Sequence, residues 1–137
     1  MFSLYRQPLV VFGLALYLLS LLQGLTLAKF RNPRMALSTH LTGLMIGIYS
    51  LALAGVAELI DLDGFRARAA FHSHVAGNLL LVVSLGLAAW WNTQSMTPIA
   101  GAKKPAAASR ENLVKIGIAV SSAIIVLSCS LILSGAI

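Results

Sequence analysis

Four long apolar runs alternate with short polar loops along the whole chain. Each run approaches or exceeds the ~20 residues that cross the hydrocarbon core of a bilayer. Length and charge-free apolar content predict membrane-spanning helices over about 8–30, 35–60, 68–92 and 111–137. The fold class expected is all-α: an integral membrane bundle of four transmembrane helices forming a single domain over 1–137. The first run resembles a secretory signal in position, but Leu9 to Ala28 exceeds the ~7–15 residues of a signal core and reads as a permanent span.

The breaks between spans carry their own signals. Pro8 suits a first helical turn, and Asn32-Pro33 marks a turn before the second span. Ser38 and Thr39 are possible caps if that helix starts late. Glu58, Asp61, Asp63 and Gly64 end it in an acidic, turn-prone loop. Trp90 and Trp91 mark an interfacial end, and Ser109 suits an N-cap for the last span.

Composition agrees with the pattern. The chain of 137 residues is 58% hydrophobic and 10% charged, with mean hydropathy +0.88. A soluble domain carries roughly 25% charged residues. The net charge of +6 does not point to nucleic acid, because the basic residues sit in loops. Lys29, Arg31, Arg34, Lys103, Lys104, Arg110 and Lys115 fall on one side, against Arg6, Arg66 and Arg68 on the other. The excess puts the first and third loops in the cytoplasm and both termini outside, in a bacterial-type inner membrane. The single cysteine, Cys129, makes no internal disulfide, and the absence of CxxCH excludes covalent c-type haem. Cys129 is expected to be a packed apolar residue.

Polar residues within the spans are the candidates for chemistry. Ionisable groups at membrane depth are costly and are kept for a partner, a ligand or a pathway. His40 lies in the second span; His72 and His74 lie near the outer end of the third. Two histidines on facing helices are the usual haem b pair, but the register forbids it. With an antiparallel turn near residue 62 or 63, residue 40 lies level with about 85 and residue 74 with about 51. At ~1.5 Å per residue, His40 and His74 are then roughly 16–20 Å apart in depth. His72 and His74 read as interfacial residues bonded to loop or water. His40 reads either as a metal ligand or as a histidine bonded to a neighbouring helix.

Asn78 lies well inside the third span, and an unsatisfied carboxamide there costs several kcal/mol. It either lines a cavity with His40 or makes an inter-helix hydrogen bond. Gly43 and Gly47 stand at GxxxG spacing, and Gly117, Ser121, Ser122, Ser128 and Ser130 line the fourth span. Such faces either pack the monomer, form a subunit interface or lie against a flat cofactor.

Asn32-Pro33-Arg34-Met35 followed by Thr39-His40-Leu41-Thr42-Gly43, together with Met96-Thr97-Pro98-Ile99-Ala100, resembles the small hydroxylaminobenzene mutases, which are similar to styrene oxide isomerase. The resemblance implies haem b ligated by His40, a homotrimer with the haem near its interfaces, and a small hydrophobic aromatic substrate; Gly43 and Gly47 beside His40 would leave room for such a flat cofactor. It implies isomerisation of an epoxide or N-hydroxyl compound by Lewis-acid activation of the substrate oxygen, with Asn78 orienting the substrate. The supporting polar positions differ: Thr42 and Ile46 stand where the mutases have an acid and an asparagine. Ala76-Gly77-Asn78 or Val75-Ala76-Gly77 occupies the third-span motif, and Leu81 or Val82 the isomerase tyrosine position. The alternative is a non-enzymatic b-haem subunit for electron transfer or anchoring, disfavoured by the lack of a well-spaced second histidine. A proton-coupled exporter would need an acid at membrane depth, and Leu9 to Ala28 has none.

Overall fold

The computed structural model of the chain describes residues 1–96 and 106–136. Four helices carry the fold: α1 (Arg6–Gly24), α2 (Pro33–Gly55), α3 (Gly64–Trp91) and α4 (Ala108–Ala136). All four spans are long and apolar enough to cross a membrane, with the short turn before α1 continuing its span. The all-helical membrane bundle expected from the sequence is the observed architecture. Lysines 103 and 104, the Thr97–Ala100 part of the motif and residue 137 lie outside the described residues.

The helix ends differ from the hydropathy reading because side chains and backbone set them. α1 stops at Gly24 rather than near 30. There the backbone switches to i→i−3 bonds, Leu25 N–H to Leu22 O and Thr26 N–H to Gln23 O, and the Thr26 hydroxyl also donates to Gln23 O at 2.9 Å. A hydroxyl that competes for a backbone carbonyl favours a helix end. α2 starts with Pro33 at its first turn and Asn32 as cap, whose side chain accepts from Met35 N–H at 3.0 Å. Asn32, not Ser38 or Thr39, is therefore the cap. α2 ends at Gly55 rather than near 60, followed by the 3₁₀ turn Ala57–Leu59. α3 begins four residues earlier than expected (64 against 68), because Asp63 Oδ1 accepts from Phe65 and Arg66 N–H. It closes on Asn92, at φ 60° and ψ 48°, the left-handed conformation asparagine tolerates. Pro8 sits in the first turn of α1, as expected, whereas Ser109 lies inside the first turn of α4 rather than capping it.

Helices α1 and α2 form one close pair and α3 and α4 another, with α2 against α3 between them. Small residues make both close approaches. A Cβ on Gly13 would lie 2.9 Å from Gly47 O, and one on Gly47 would lie 2.9 Å from Gly13 O. A Cβ on Gly43 would collide with Ser20, and one on Gly117 with Ser84. Gly77 receives Ile124 and Ile125. Ser128 Oγ donates across the α3–α4 contact to Ala70 O at 3.0 Å. Ser122 and Ser130 are exposed and bond back to their own helix. Ser128 takes the inward position, so Cys129 next to it is exposed; the expectation of a packed cysteine is corrected.

Two apolar clusters close the ends. Leu9, Leu53, Ala70 and Ile132 bring all four helices together at one end. Met35, Ala36, Leu85, Ala88 and Val114 join α2, α3 and α4 at the other. That second end is tied by Asn32, whose N–H donates to Ala89 O at 3.0 Å and whose Nδ2 donates to Asn92 Oδ1 at 3.1 Å. Glu111, in the first turn of α4, accepts from the N–H groups of Gln94 and Ser95 at 2.9 Å. A carboxylate in that position also suits the helix dipole.

Candidate active site

The register drawn from the sequence places the histidines well. Ser50 of α2 meets His74 of α3, close to the expected level of residue 51. Thr39 lies opposite Gly86. His40 is therefore about ten residues along α2 from the His74 contact, or ~15 Å.

His40 is half-buried against α1. Its Nδ1 is 2.6 Å from Ser20 O, and its ring lies where a Cβ on Gly24 would stand 2.8 Å from Cε1. A carbonyl only accepts, so Nδ1 carries a proton, and in the neutral ring the lone pair is on Nε2. Nε2 has no hydrogen bond among the described residues. No fully buried side-chain nitrogen or oxygen among them lacks a partner, so Nε2 opens at the edge of the α1–α2 pair. This is the arrangement in which a metal-ligating imidazole has its other nitrogen fixed by a carbonyl.

His74 has the opposite character. It is 1% exposed rather than interfacial, which corrects the sequence expectation. Asn78 Nδ2 donates to His74 O at 2.7 Å and lies 3.2 Å from His74 Nδ1. An amide NH₂ only donates, so Nδ1 is the acceptor and Nε2 carries the proton. Nε2–H then donates to Ser50 Oγ at 2.8 Å, and the Ser50 hydroxyl donates to Ile46 O at 2.8 Å. Both ring nitrogens are occupied, and the rings of Phe12 and Tyr49 flank the imidazole at 5.9 and 5.5 Å between centroids. His74 has no lone pair to give a metal. His72 is exposed at the far end, with Nδ1 on Arg68 O at 2.9 Å.

The remaining candidates fall into place around these two. Gly43 and Gly47 face α1: Ser20, Gly13 and Tyr17 fill the space that they leave. Of the alternatives open in the sequence, the glycines pack the monomer. Asn78 is 4% exposed and is brought together with His74, not with His40. It makes its two bonds within α3, both to His74, so the direct inter-helix bond considered from the sequence is not formed. Ser20 and Ser50 were missed. Ser50 was legible, as a hydroxyl level with His74 in an apolar span. Ser20 contributes a backbone carbonyl, which no sequence pattern marks. No group of three or more His, Cys, Asp or Glu able to hold a bare metal ion occurs among the described residues.

Comparison with known proteins bears on this geometry. A family model described as styrene oxide isomerase matches residues 5–137. Hydroxylaminobenzene mutase HabB of Ectopseudomonas oleovorans is 34% identical over 130 residues, which cover 94% of this chain and 79% of that protein. No solved structure matches the chain. With four membrane-length helices and these two likenesses over nearly its whole length, the chain belongs to the styrene oxide isomerase family and is a membrane isomerase/mutase.

Proposed function

We propose that this chain binds haem b through His40 Nε2 and rearranges a small, lipid-soluble aromatic epoxide or N-hydroxyl compound. The observation that carries the reading is the Nδ1–H···O=C bond from His40 to Ser20, which makes Nε2 the ring nitrogen left for a ligand. Neutral imidazole with a fixed tautomer is a good haem-iron ligand. When bound, ferric haem supplies a Lewis acid for the substrate oxygen. The chain's own part is to hold the imidazole, to keep the site apolar and dry around a developing cation, and to orient the substrate. Asn78, the carboxamide at membrane depth, is the residue proposed to orient it.

An absorption spectrum of the purified protein, with turnover of styrene oxide and of hydroxylaminobenzene, tests this. The expected result is a haem band and conversion of at least one compound. A colourless preparation that converts either compound rejects the haem. A six-coordinate, low-spin protein inert to both favours an electron-transferring subunit.

We place the protein in the inner membrane with both termini outside, on the basic asymmetry of its loops. We further propose a homotrimer. Nε2 of His40 opens at the edge of the bundle, so a macrocycle ligated there lies outside the core of its own chain, and a second copy would cover it. Native mass spectrometry is expected to show trimers with haem; haem-loaded monomers alone reject the shared site. A cysteine placed at Ala106 is expected to resist an impermeant reagent in intact cells, and its labelling reverses the orientation.

A further inference from the structure

The proposed chemistry uses His40 and leaves the buried imidazole of His74 without a role. Every donor in the His74 group is directed. Asn78 Nδ2 donates to His74 O at 2.7 Å and to Nδ1 at 3.2 Å, His74 Nε2–H to Ser50 Oγ, and the Ser50 hydroxyl to Ile46 O. Turning the amide over would set an oxygen 2.7 Å from the His74 carbonyl oxygen, so the orientation of Asn78 is fixed. Both its N–H donors are spent, and Oδ1 alone remains. Oδ1 makes no hydrogen bond among the described residues. Because no fully buried polar side-chain atom among them is unsatisfied, Oδ1 keeps a small accessible area, although the residue is only 4% exposed. The neighbourhood is aromatic, with the rings of Phe12 and Tyr49 both close to His74.

We infer that His74 is a positioning residue that takes both N–H donors of Asn78, so that Asn78 presents only an acceptor and selects aromatic ligands carrying an N–H or O–H donor. An aryl N-hydroxyl compound satisfies that acceptor; an epoxide, which has only acceptors, does not. The inference rests on the proposal that Asn78 lies at the substrate site, and it deepens that proposal by naming the class of substrate favoured.

The test compares aniline with toluene, two unreactive probes of like shape that differ in having or lacking a donor. Equilibrium dialysis against the full chain in nanodiscs, corrected with empty nanodiscs, reads the ratio of affinities. The wild type is expected to prefer aniline about three- to tenfold, the worth of one net hydrogen bond. Asn78→Leu brings the ratio to one. His74→Phe does the same, and the double variant loses nothing further, as coupled residues require. His74→Gln, whose amide can accept from Asn78 and donate to Ser50, keeps the preference. Should His74→Phe not fold, Ser50→Ala applies the test from the other end: without its acceptor the ring loses control of its tautomer, and the ratio falls.

No preference in the wild type overturns the inference, as does a preference that survives Asn78→Leu or His74→Phe. Turnover of hydroxylaminobenzene in the same preparations is read separately. A preference without turnover leaves the inference standing and sinks the proposed chemistry; turnover without preference does the reverse.

Discussion

Replacing Gly47 by leucine is expected to force α1 and α2 apart and to destabilise the bundle by about 1–3 kcal/mol or more, the range for overpacking a close contact. A Cβ at this position stands 2.9 Å from Gly13 O, 3.0 Å from Tyr17 Cβ and 3.1 Å from Tyr17 N. Two of those three atoms are backbone, so no rotamer change makes room. In lipid, close backbone packing of this kind is itself a main source of helix association. The effect reaches the site, since the same crossing holds Ser20 and Gly24 against His40. Unfolding by sodium dodecyl sulfate in mixed micelles measures it. Gly55→Ala is the control: a Cβ there meets nothing within 4 Å, and alanine is the better helix former by ~1 kcal/mol. Equal loss in both variants would mean that the Gly13–Gly47 contact does not hold the pair.

What could be read from the sequence follows from which forces leave a linear trace. Four spans were legible because membrane length is a property of one continuous run. The level of each residue was legible too, because a short loop fixes antiparallel register, and Ser50 does meet His74. Rotation of each helix about its axis was not. These spans are apolar on every side, so nothing in the sequence says which face of α3 turns toward α2. His74 was therefore assigned to the interface when it is buried, and Cys129 to the interior when it is exposed. The partner of Gly47 was hidden for a related reason: the complement is Gly13 on another helix, and a GxxxG stripe does not name what fills it. Helix ends were misplaced where the determinant was one capping side chain, as where Asp63 accepts from Phe65 and Arg66 N–H. Thr42 and Ile46, which depart from the mutase pattern, are half-buried and buried beside the α1 contact. They add little polarity there, which leaves His40 and Asn78 as the polar residues on which the proposed function rests.

His40→Ala is expected to remove the haem band and the isomerase activity together, while His72→Ala keeps both. The two histidines share a tautomer, each with Nδ1 on a carbonyl, so tautomer alone does not separate them. Their surroundings do. His40 is half-buried against Gly24 and held at 2.6 Å, whereas His72 is exposed beside Arg68, at the opposite end of the membrane span. Losing the His40 imidazole takes away one hydrogen bond to Ser20, about 1 kcal/mol, so the bundle should still fold. Exogenous imidazole added to His40→Ala should therefore restore the band, which a misfolded protein would not allow. Gly24→Ala gives a graded result: its Cβ would stand 2.8 Å from His40 Cε1, tilting the ring without removing it, so the band should shift and activity fall without vanishing. If His40→Ala retains an unshifted band, or if His72→Ala loses it, the ligand is not His40.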